Sequence, residues 1–141
     1  RHTRYISVTG VQTCALPISI RVLFCIGVSQ NFFDLPRDQT KPVWEGFQAM
    51  MTSLGELPGM HILGAIDDDR VMVGPSTSWP WTVYIMADVP DYDTVVAACN
   101  LMRTTPVGEH NLWRYGRIEA RMGRAFEIPA WVKQPAEKKG E

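Results

Sequence analysis

Apolar positions in this chain alternate between two rhythms, near-continuous runs that suit buried strands and three-to-four spacings that suit helices. Ile20 to Val28 (IRVLFCIGV) is a β-branched apolar run and predicts a central strand. Asn31 to Arg37 (NFFDLPR) predicts a turn or loop carrying two aromatics. A helix is predicted to start at Asp38 to Thr40. Pro42 falls in its first turn, where the missing N–H would lack a partner anyway. Val43, Phe47, Met50, Met51 and Leu54 then form one apolar face, and Gly55 with Pro58 ends the helix.

The second half repeats the scheme. Met60 to Ile66 predicts a second strand running into Asp67-Asp68-Asp69, with Arg70 to Gly74 either its hairpin partner or a continuation beyond a bulge. Trp81 to Val89 (WTVYIMADV) predicts a third strand. Asp91 or Asp93 can cap a second helix whose face is Val95, Cys99 and Met102, and Pro106 and Gly108 close it. Leu112 to Ala120 predicts a last strand, and the charged tail from Pro135 predicts disorder.

The order is β-α-β-β-α-β, the ferredoxin-like arrangement. That is an α+β fold with a four-stranded antiparallel sheet and both helices on one face. The first and third strands, central in such a sheet, are apolar on both faces, whereas helices cover only one. The pattern therefore predicts a homodimer with sheets packed face to face, a dimeric α+β barrel.

The pattern assigns no element to the first eighteen residues. Val8 to Ile18 (VTGVQTCALPI) is what a sequencing index-adapter oligonucleotide encodes in one frame, and Arg1-His2-Thr3-Arg4 matches its upstream part. Residues 1–18 are therefore expected to be a translated adapter from an environmental or metagenomic assembly, with the native start lost. Residues 19–128 form one expected domain and 129–141 a tail. Without Arg1 and Arg4, the 14 basic residues become 12 against 15 acidic, a net charge of −3. A mildly acidic domain points away from nucleic acid, and no apolar run is long enough to span a membrane. Cys25 and Cys99 fall in apolar stretches without metal or redox spacing, which predicts reduced thiols and a cytoplasmic setting.

Candidate chemistry concentrates in Arg103 to Arg117 (RTTPVGEHNLWRYGR). His110 is a candidate acid–base group, and Arg103 or Arg114 a candidate bidentate clamp for a carboxylate; the alternative is a loop histidine beside solvated surface arginines. His61 sits mid-strand, where a structural histidine competes with a ligand contact. Asp67, Asp68 and Asp69 lack the ligand spacing of a calcium loop, though Arg70 alongside could turn one carboxylate inward. Trp79 and Tyr84 are candidate walls for a flat ligand, with Asn31 and Phe32-Phe33 closing the opposite end. Trp81 and Trp113 suit core or interface filling better. No nucleophile elbow, phosphate loop, zinc spacing or dinucleotide fingerprint is present, so no metal or organic cofactor is expected.

Three blocks carry a family resemblance: RVLFCIGVSQNFF, DDDRVMVGPSTSWPWTVYIMADVPDYDTV and LMRTTPVGEHNLWRYGRIEARMGRAF. From Ile20 to about Phe126 the chain resembles the B proteins of bacterial indole-3-acetate degradation (Iac) clusters and, more distantly, the darcynin family. The resemblance implies a dimeric α+β-barrel fold and a place in aromatic-acid catabolism, and transfers no catalytic residue. Two functions are then expected. One is a cofactor-independent enzyme acting on an oxidised indole-acetate intermediate, with His110 as acid–base group, Arg103 or Arg114 as clamp, and Trp79 with Tyr84 as ring wall. The other is a non-catalytic module that holds an aromatic acid or assists a neighbouring oxygenase. A purely structural dimer is the third reading.

Overall fold

The computed structural model describes residues 19–68 and 81–129. Strand β1 (Ile20–Val28) runs into a four-residue helix α1 (Gln30–Phe33), and a 3-10 turn at Arg37–Gln39 leads to α2 (Lys41–Gly55). Strand β2 (His61–Asp67) and strand β3 (Val83–Val89) follow, then α3 (Tyr92–Thr104). A miniature hairpin of β4 (Pro106–Val107) and β5 (His110–Asn111), a 3-10 turn at Leu112–Arg114 and β6 (Gly116–Gly123) complete the described chain.

The helices lie where their apolar faces direct. Val43, Phe47, Met50 and Leu54 of α2 are buried, with Met51 at the margin. On α3 the buried line is Val95, Ala98 and Met102, and Cys99 is only partly covered. Asp91 is the N-cap of α3: its Oδ1 accepts from the Thr94 backbone N–H at 2.8 Å and from the Thr94 hydroxyl at 2.7 Å. These bonds favour the ionised form and hold the Asp91 carboxyl below its ordinary range.

The four long strands pair antiparallel in the order β2-β3-β1-β6. Val22, Phe24 and Ile26 of β1 face the helices with Ile85, Ala87 and Val89 of β3, and each is at most 6% exposed. Register then places Arg21, Leu23 and Cys25 with Tyr84, Met86 and Asp88 on the opposite face. The α+β sheet with both helices on one face is as expected. The barrel is not: among the described residues β2 and β6 are the edges of the sheet, and no pairing joins them. Four strands twisted by about 20–25° each do not bring the outer two together, whereas a closed barrel typically needs about eight. The α+β-barrel expectation is therefore overturned, and the fold is an open, helix-backed sheet.

Local differences from the sequence reading have physical causes. The NFFDLPR segment contains a helical turn, because Ser29 and Gln30 carbonyls capture the Phe32 and Asp34 N–H groups. The predicted last strand starts four residues late. Leu112 is drawn into the core at 0% exposure, so Leu112–Arg114 bends into a 3-10 turn before pairing with β1 begins. Strand β2 is exposed along its whole length although its sequence is apolar. The Arg70–Gly74 question and the tail lie outside the described residues.

Candidate functional site

A concavity of about 550 Å³ opens between α2 and the end of the sheet where β1 and β2 finish and β3 begins. Val28, Ile26 and Val83 form its floor, and Phe32, Trp44 and Phe47 rise from α1 and α2. These rings form one cluster: Phe32 meets Trp44 edge-on at 4.9 Å, Trp44 lies 5.8 Å from Phe47, and Phe33 meets Phe32 edge-on at 5.4 Å. Phe33 and Trp44 stay 64% and 48% exposed, so the outer wall of the cavity faces water. Gln48, Asp67 and Thr82 supply its polar atoms. An apolar chamber with a few polar groups at its rim suits a flat, mostly apolar small molecule.

The wall is set by close approach elsewhere. A side chain at Gly116 would place its Cβ 2.6 Å from Phe47 Cζ, so only glycine lets the Phe47 ring settle against β6. Trp44 was not singled out by pattern, because it sits beside the apolar stripe of α2 rather than in it. Its spacing of three from Phe47 was the signal, since residues three apart on a helix are neighbours.

A second, polar cleft of about 300 Å³ lies at the C-terminal end of α3 and brings together Arg103, His110 and Arg114 with Trp113. Arg103 comes from the last turn of α3, His110 from β5, and Arg114 from the 3-10 turn. The Trp113 ring, 45% exposed, is neither core nor covered interface within the protomer. Arg103 and Arg117 guanidinium carbons lie 4.9 and 5.1 Å from its centre. Asn31 does not line the cavity. Its Nδ2 donates to the Arg114 carbonyl at 3.0 Å, as does the Ser29 hydroxyl at 3.0 Å.

Tyr84 and His61 belong to the open face of the sheet. The Tyr84 hydroxyl donates to the Trp81 carbonyl at 3.2 Å, and burial followed by the Asp68 carboxylate raises its pKa. His61 is opposite Asp88 in register. Asp88 accepts from Arg21 Nε at 2.6 Å and from Nη2 at 3.1 Å, and this bidentate bond holds its carboxyl below the ordinary range. Beside them Cys25 is buried; desolvation pushes its thiol up, opposed by Arg121, so it is a poor nucleophile.

The residues expected around one cavity mouth are thus distributed over separate places. Arg103, His110 and Arg114 converge, Asn31 braces them from behind, and Tyr84 and His61 occupy the other side of the sheet. Trp79 and Arg70 lie outside the described residues. Among the described residues no group of three His, Cys, Asp or Glu side chains could hold a metal ion, and no helix is long and apolar enough to cross a membrane. Compared with known proteins, no family model matches the chain, and a search of curated proteins returns no match.

Proposed function

We propose that this protein binds a small aromatic molecule in the cavity between α2 and the sheet, in the aromatic-acid catabolism that its Iac-type resemblance implies. One observation carries the reading: four clustered aromatic rings wall a chamber of about 550 Å³, two of them left exposed at its mouth. An indole-sized ring buries roughly 150–250 Å² of its own surface, which at about 25 cal/mol per Å² is about 4–6 kcal/mol before ordering costs. Dissociation constants from about 0.1 mM to a few mM follow. Asp67 and Gln48 at the rim can accept a hydrogen bond from an indole N–H, which supports an indole over a plain hydrocarbon ring.

Binding or hand-over is favoured over catalysis, because Arg103 and His110 lie in a cleft that shares no lining residue with the cavity. The cofactor-independent enzyme remains the second reading, supported by the convergence of those two residues with Arg114. Titrating the protein with indole and with indole-3-acetate, followed by tryptophan fluorescence and thermal shift, tests the first reading. Saturable binding lost in Trp44→Ala is expected; absence of saturation at several millimolar of either compound would falsify it. Mass detection of oxidised indole-acetates after incubation decides between holding and turning over.

For partners, we propose a homodimer through the open face of the sheet. Leu63, Ile66 and Met86 flank a shallow groove of about 320 Å³ there and are 44%, 64% and 40% exposed. Sedimentation at micromolar concentration tests it, and a lone protomer would end it.

A further inference from the structure

We infer that the cleft at the C-terminal end of α3 is a binding site for a small oxyanion, a carboxylate or phosphate group, independent of the aromatic cavity. Arg103, Arg114 and His110 converge in a concavity of about 300 Å³, and among the described residues no carboxylate pairs with any of them. The helix dipole accounts for one cation at this position, since a positive charge suits a helix C-terminus. It does not account for Arg114, which comes from the turn before β6. Nor is the surface basic in general: the chain carries a formal net charge of −1, so this is a local concentration of positive groups.

The way the arginines are held points the same way. Arg103 packs over the Trp113 ring at 4.9 Å and forms no ion pair among the described residues. A guanidinium resting on an aromatic face keeps its edge N–H donors in plane, and their fork matches the two oxygens of a carboxylate or phosphate. The scaffold is fixed before any ligand arrives. Gly108, at φ +57°, turns the β4–β5 hairpin, and the Leu112 N–H bonds the Thr105 carbonyl at 2.8 Å. Leu112 is fully buried, and the Arg114 carbonyl takes two side-chain hydrogen bonds, from Ser29 and Asn31. Arg103 and Arg114 therefore stand on separate anchored elements and face one opening. The cleft is open to water, so binding is weak and salt-sensitive.

The test uses the full chain, titrated separately with sodium phosphate and with sodium benzoate, following backbone amide and indole N–H resonances by NMR. Saturable shifts confined to residues 103–117 are expected, with dissociation constants in the millimolar range or tighter. Arg103→Gln with Arg114→Gln should weaken binding at least tenfold, while the thermal midpoint and the affinity for indole stay unchanged. Raising sodium chloride from 50 to 500 mM should weaken it several-fold. Saturation by phosphate alone, or by benzoate alone, supports the site and names the source of its oxyanion. Shifts that grow linearly, or saturate equally in the double variant, overturn it. Neutral indole in the same samples reports on the cavity, so failure there counts against the proposed function and leaves the cleft standing.

Discussion

The two faces of one sheet both carry apolar side chains and lead different lives. On the helix side, Phe24, Val22 and Ala87 are completely buried and meet Met50, Leu54 and Met102. On the other side Met86 and Ile66 remain well exposed, and the Arg21–Asp88 ion pair sits among them with side chains 31% and 24% exposed. The first face is a packed interior. The second is an apolar groove interrupted by charge, suited to a cover that comes and goes. Alternation along a strand says that both faces are apolar; it does not say which one is covered inside the protomer.

Substitutions can break or sharpen this contrast. The largest effect is expected at Phe24→Ala, where deleting a fully buried ring should cost about 3–5 kcal/mol, read from denaturant unfolding. Gly116→Ala, which pushes a methyl group into the Phe47 ring, should cost about 1–3 kcal/mol and weaken indole binding together with stability. A Gly116→Ala protein as stable as the parent would mean the close approach to Phe47 is not real.

On the open face, Met86→Lys should leave far-UV dichroism intact and change protomer stability by less than about 1 kcal/mol. In sedimentation it should shift the protein from dimer to monomer. If Met86→Lys unfolds the chain as Phe24→Ala does, the distinction between the faces collapses.

The smallest effect belongs to Asp88. Its folded pKa is depressed by Arg21, so the pair stabilises above the unfolded carboxylate range, near pH 4, and this contribution fades as pH falls through the lower folded value. Asp88→Asn should remove that part of the acid dependence and lower stability slightly and evenly from neutral pH upward, as melting curves from pH 2 to 8 would show. An unchanged acid limb would mean the pair is fully screened.

The functional regions differed in how readable they were. Arg103, His110 and Arg114 stood out as polar residues crowded into fifteen positions, and the hairpin after α3 does bring them together. The cavity was less legible. Its aromatic wall draws Phe32 and Phe33 from a segment read as loop and Trp44 from the flank of a helix, and only the packing of α1 against α2 places them side by side. Tyr84 was the reverse case: a sound aromatic candidate by type, placed by register on the face away from the cavity.

Sequence by itself determined the order of the main strands and helices and the covered faces of α2 and α3, and narrowed the α3 cap to Asp91 or Asp93, because these depend on spacing and neighbours within a few residues. Tertiary structure alone decided that the sheet stays open, that β2 is left uncovered, and that Leu112 bends the chain before β6. Those outcomes depend on where helices of fixed length come to rest on a twisted sheet, and no local pattern records that distance.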